Sequence, residues 1–101
     1  MPENPLAAIQ KIDPKMMDHL REMSELIYCS GALPKKIKLL IAMAFDAAHG
    51  ADLGVKALAL AAMKEGATRE EIAEALRVAY HLSGVGTLYT ASSGLKDIIA
   101  S

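Results

Sequence analysis

From Leu33 to Leu76 the chain reads LPKKIKLLIAMAFDAAHGADLGVKALALAAMKEGATREEIAEAL, and this stretch decides the fold. Pro34 stands where a missing N–H costs nothing, at the start of a helix. Ile37, Leu40, Ile41, Ala44, Phe45 and Ala48 then recur at helical spacing up to a stop at Gly50. A second helix is expected from about Ala51 to Glu65, ended by Gly66. Thr68-Arg69-Glu70-Glu71 is a capping box, in which the Thr hydroxyl serves one free N–H and Glu71 reaches back to another. It opens a third helix lined by Ile72, Leu76, Ala79 and Tyr80, with a stop near Ser83-Gly84. Leu39, Ala42, Met43 and Ala47 fall off the first stripe, as Ala57, Leu60 and Ala61 do in the next helix. A helix apolar nearly all round is covered on several sides, and in so short a chain the extra cover is expected from another subunit.

Outside this centre, Asp13-Pro14 marks another helix start: an oxygen side chain to cap free N–H groups, then proline at the first helical position. Met16, Leu20, Met23 and Ile27 form its apolar stripe, Ser30-Gly31 ends it, and Asp18, His19, Arg21, Glu22 and Glu25 occupy a solvated face. Residues 1–12, with two of the four prolines, are expected to be partly extended. A last amphipathic segment is expected from about Thr87 to Ala100, interrupted by Gly94. No alternating run and no Asn-Gly hairpin signals a strand, so the reading is an all-α, compact helical bundle of four or five helices forming a single domain over residues 1–101.

The 101 residues include one Phe, three Tyr and no Trp, so Leu, Ile, Ala and Met must build the core. The Met residues 16, 17, 23, 43 and 63 sit at helical spacings that read as core filler. Eleven basic and twelve acidic residues, spread along the chain, give a net charge of -1 and no field to attract nucleic acid or anionic lipid. The apolar stretch from Ile37 to Ala62 is broken by Asp46, His49, Gly50, Asp52, Gly54 and Lys56, which argues against a membrane span. Cys29 is the single cysteine, which excludes an intrachain disulfide, a CxxC redox pair and a zinc site with two Cys ligands. With no signal-peptide pattern at Met1-Pro2-Glu3-Asn4-Pro5, a cytoplasmic location is expected.

The stretch Leu33–Leu76, above all Gly66-Ala67-Thr68-Arg69-Glu70-Glu71-Ile72, resembles the carboxymuconolactone decarboxylase-like family, which includes the alkylhydroperoxidase D-like proteins. The resemblance extends through a helix like Ala73 to His81 and a turn like Gly84 to Gly86, and it implies a homo-oligomer, trimer or hexamer. In the peroxidase-like members it implies a Glu early in one helix, then a CxxC pair and a His in the next. Counted back from Gly66, those positions here hold Leu39, Ala51, Gly54 and Leu58. Peroxide reduction needs an attacking thiolate, a resolving thiol and a base, and none of these four residues supplies one. Decarboxylase-type members, by the same resemblance, lack the Cys pair but keep the His, here Leu58.

Other residues carry two readings each. His49, with Asp46 a turn earlier and Asp52 just beyond, could form a carboxylate-oriented imidazole base; a His at a helix C-terminus is also explained by the dipole and free carbonyls. The three residues make a weak metal site, because nothing fixes a third ligand, and no metal or other cofactor is expected. Cys29 is a candidate one-Cys peroxidatic residue or, like most free cysteines, a buried structural one. Tyr80 and His81, with Tyr89, could line a pocket or serve as core tyrosines and a C-terminal His. Gly84-Val85-Gly86 has no preceding strand and does not read as a dinucleotide loop. Lys35, Lys36 and Lys38, unfavourable at a helix start, read as a solvated face or as an anion or intersubunit patch. Three functions stay open: a family enzyme of altered activity with His49 as its catalytic group, a non-catalytic oligomeric or small-molecule-binding relative, and a one-Cys peroxidase using Cys29.

Overall fold

The computed structural model describes residues 4–99, which form six helices. They are α1 (Ala7–Ile12), α2 (Pro14–Tyr28), α3 (Lys35–Ala48), α4 (Asp52–Lys64), α5 (Arg69–Ser83) and α6 (Gly86–Leu95), with no strand among the described residues. Helix α3 is the hub: it packs most extensively on α4, then on α5, and also meets α6, which lies against α4. The α1–α2 pair stands to one side; α2 touches α3 only slightly, and Tyr28 at its end packs against the core.

The helix boundaries follow the local chemistry. The Asp13 side chain accepts the Met16 N–H at 3.1 Å and opens α2 ahead of Pro14. Both halves of the capping box at α5 are made: Thr68 Oγ1 accepts from the Glu71 N–H, and Glu71 accepts from the Thr68 N–H. At the end of α3, Gly50 takes φ of +82°, the Ala51 N–H donates to the Asp46 carbonyl at 2.9 Å, and the Gly50 N–H to the Ala47 carbonyl. This is a Schellman turn. It reverses the chain tightly, so the first turn of α4 is laid against the last turn of α3.

The core differs from the one the spacing of α3 suggests. Leu39 (4% exposed), Leu40, Met43 (0%) and Ala47 are buried, together with Val55, Ala59 and Ala62 of α4, Ile72 and Leu76 of α5 and Ala91 of α6. Of the stripe read as the buried face, Leu40 is buried and Ile37, Ala44 and Ala48 are half-buried, while Ile41 and Phe45 are exposed. Both faces of α3 are apolar, and spacing alone does not say which one meets the rest of the chain. On α2, Met16, Leu20, Met23 and Ile27 are likewise exposed, and Met17 is buried.

The ends of the chain also depart from expectation. Within the stretch expected to be partly extended, Ala7–Ile12 is helical, begun where Asn4 Oδ1 accepts the Leu6 N–H. Leu6, Ile9 and Ile12 there share a groove with Met16, Leu20 and Met23, which gives this short helix an apolar partner. Residues 1–3, Ala100 and Ser101 lie outside the described residues. The last helix stops at Leu95, and tight turns returning to the Leu95 carbonyl from the Ile98 and Ile99 N–H groups fold Ile98 back onto the core.

Candidate functional site

The Schellman turn places the side chain of Asp46, in the last turn of α3, over Gly54, in the first turn of α4. A Cβ added at Gly54 would lie 2.8 Å from Asp46 Cγ and overlap its Oδ2. The Asp46 carboxylate thus fills the space that a side chain on residue 54 would need. Of the other positions that the family resemblance points to, Leu39 is buried, Leu58 is half-buried against the core, and Ala51 is the half-buried residue that precedes α4.

Tyr28, at the end of α2, feels the charge of Asp46 from its place against the core. It is half-buried against the core, and its hydroxyl is held above the ordinary tyrosine range, first by burial and then by the negative charge of Asp46. The phenol therefore stays protonated and can donate a hydrogen bond. Nothing in the apolar spacing of α2 marks Tyr28 as lying within electrostatic reach of Asp46, because that depends on how α2 packs on the core.

The other candidates go to separate partners. His49 caps the C-terminus of α3 through its backbone, is exposed, and its ring faces that of Phe45 with centroids 6.1 Å apart and planes tilted by 31°. Asp52 accepts a hydrogen bond from Ser93 Oγ of α6 at 2.9 Å. No hydrogen bond or ion pair joins Asp46, His49 and Asp52 among the described residues, and no group of three or more His, Cys, Asp or Glu there could hold a metal. Tyr80 and His81 are exposed on α5, and Tyr89 is exposed on α6.

Cys29 is exposed at the end of α2 rather than buried; its thiol donates to the Leu26 carbonyl at 3.2 Å, and the Lys38 ammonium donates to its carbonyl at 2.7 Å. Of the three lysines at the start of α3, Lys36 pairs with Glu71 at 2.9 Å and Lys38 with that carbonyl. Two of the three positive charges thus tie α3 to its neighbours.

The open face of α3 lines an apolar groove of about 440 Å³ between α3 and α5. Ile37, Ile41, Ala44, Phe45 and Ala48 form one wall and Ala75, Val78, Ala79 and Leu82 the other. Its edges are the most exposed large apolar residues of the two helices, Phe45 at 61% and Leu82 at 79%.

The chain belongs to the carboxymuconolactone decarboxylase family: the family model matches residues 14–97, from the first residue of α2 to beyond α6. No curated protein and no solved structure matches it. No described helix is long and apolar enough to cross a membrane.

Proposed function

We propose that the protein is a homo-oligomeric, small-molecule-binding member of the carboxymuconolactone decarboxylase family that does not reduce peroxides with a thiol pair. The observation that carries this reading is the placement of Asp46 over Gly54. By the family resemblance, residue 54 is the second thiol position, and a cysteine side chain there would collide with the Asp46 carboxylate. With Leu39 buried and Leu58 packed against the core, the neighbouring positions hold hydrocarbon where a proton relay would need a carboxylate and an imidazole.

The surface supports assembly. The chain exposes 6976 Å² at a mass of 10.7 kDa. A compact monomer of that mass exposes about 5,500 Å². The excess of about 1,500 Å² is of the order that a subunit contributes to a stable interface, where a standard complex takes roughly 800 Å² from each partner. The apolar groove between α3 and α5 and the exposed stripe of α2 are the surfaces that a second copy would cover.

The experiment is a peroxide-consumption assay on the full chain with a dithiol reductant. The expected outcome is consumption no faster than the buffer's own rate. Consumption lost in Cys29→Ser would replace this reading with the one-Cys peroxidase, and consumption or other turnover lost in His49→Ala but kept in Cys29→Ser would replace it with an enzyme working through His49.

A further inference from the structure

Two apolar faces of the chain stand open. The first is the stripe of α2, where Met16, Leu20, Met23 and Ile27 are all exposed and only Met17 of the helix is buried. The short helix α1 borders this stripe and buries no residue of its own. A helix of 15 residues is marginal in water by itself and is held by packing its apolar face, yet α2 touches the bundle only slightly at α3. The second face is the groove between α3 and α5, where Ile41, Phe45, Val78 and Leu82 are exposed.

The two faces match in length and chemistry. The stripe from Met16 to Ile27 and the α3 wall from Ile37 to Ala48 each advance eleven residues along a helix. At a rise of about 1.5 Å per residue each is about 16 Å long. The ridge of one helix seats in the furrow between two others. Apart from Ser83 the groove is lined by hydrocarbon, and the stripe brings only Met, Leu and Ile, so the contact buries no charge. Unbranched methionine side chains adapt to the Phe45 ring and gain sulfur–aromatic contact with it.

The exposed area decides how the copies meet. A two-fold pair that set groove on groove would leave both stripes open, and stripe on stripe would leave both grooves open. Either arrangement takes one standard surface, roughly 800 Å², from each subunit. Stripe into groove takes two surfaces from each subunit, one offered and one received, roughly 1,600 Å² in all. The chain exposes 6976 Å², about 1,500 Å² more than a compact monomer of its mass. That excess fits two surfaces rather than one.

We propose that the α2 stripe of one copy seats in the α3–α5 groove of the next, a head-to-tail contact that closes into a ring. This rests on the assembly reading above and names the partner of each face.

The test uses two variants of the full chain, Leu20→Asp in the stripe and Phe45→Asp at the groove, each run alone and then mixed in equal amounts in sedimentation equilibrium. Each alone is expected at 10.7 kDa and the mixture at twice that mass. Only the intact groove of one variant and the intact stripe of the other can meet, and the resulting pair cannot close a ring. A mixture that stays at 10.7 kDa, or Leu20→Asp alone at the mass of the unmodified chain, would overturn the head-to-tail contact. Should a variant fail to fold, the unmodified chain carries the test, because Phe45 is its single Phe and lines the groove. Copies with labelled methionine methyls, mixed with unlabelled copies, should show NOEs between subunits from the Phe45 ring to Met16 or Met23. NOEs from that ring to α3 or α5 of a second copy, with none to these methionines, would overturn the contact. An assembly indifferent to Leu20→Asp sinks this inference alone, whereas an unmodified chain at 10.7 kDa at every concentration sinks the assembly reading beneath it.

Discussion

Asp46 and Gly54 are a steric pair: the carboxylate of one occupies the side-chain space of the other. Gly54 lies inside α4, where replacing glycine by alanine is ordinarily worth about 1 kcal/mol of stabilisation. Here Gly54→Ala should instead destabilise by about 1–3 kcal/mol, the range for overpacking, as read by urea denaturation. Adding Asp46→Ala to that variant should recover most of the loss, since the two residues share one space. A stabilised Gly54→Ala would show that Asp46 moves aside freely.

Gly94 offers a harder version of the same test. A Cβ there would stand 2.6 Å from the Asp52 carbonyl oxygen and 2.8 Å from Val55 Cβ, so the obstacle includes the backbone of α4, which cannot swing away. Gly94→Ala should lower the unfolding midpoint, and Val55→Ala should not rescue it. At Gly31, where an added Cβ meets nothing within 4 Å, the same substitution should leave stability nearly unchanged.

The fold was legible in the sequence wherever one local rule decided an element. Asp13-Pro14, Gly50, Gly66 and the Thr68–Glu71 box set helix ends that the structure keeps to within a residue or two. What spacing could not decide was the inward face of α3. Leu39 and Met43 are as apolar as Ile41 and Phe45, and only the packing of α4, α5 and α6 selects the first pair. The site was half legible for a related reason. Asp46 could be suspected from its place near the helix end, but its meeting with Gly54 comes from the turn geometry, and Tyr28 feels its charge from another helix with no local signal.

The α5 cap makes a pH prediction. The Glu71 carboxyl is held below the ordinary glutamate range, first by the Thr68 backbone N–H and then by the Lys36 side chain. Because the folded-state value is depressed, this contribution to stability is present above the ordinary glutamate range and is lost as pH falls through the folded-state value. Lys36→Met should make acid unfolding less steep across that window, as followed by circular dichroism. Thr68→Ala should cost about 1 kcal/mol at neutral pH through loss of the cap.

Exposed apolar edges of the groove should control assembly rather than folding. Phe45→Asp and Leu82→Asp each put a charge at a site that is more than half exposed in the single chain. Each should leave helicity and the unfolding midpoint of the isolated chain nearly unchanged while weakening self-association, as measured by light scattering over a concentration series. A variant that loses its helical signal at once would instead place those residues in the fold's own core.

Whether this family scaffold associates through its open apolar helix faces is read by sedimentation equilibrium of the full chain beside Phe45→Asp. The unmodified chain is expected at an integral multiple of 10.7 kDa, a trimer or hexamer by family resemblance, and the variant shifted toward 10.7 kDa. A mass of 10.7 kDa for the unmodified chain at every concentration, or identical assemblies for both proteins, would contradict that association.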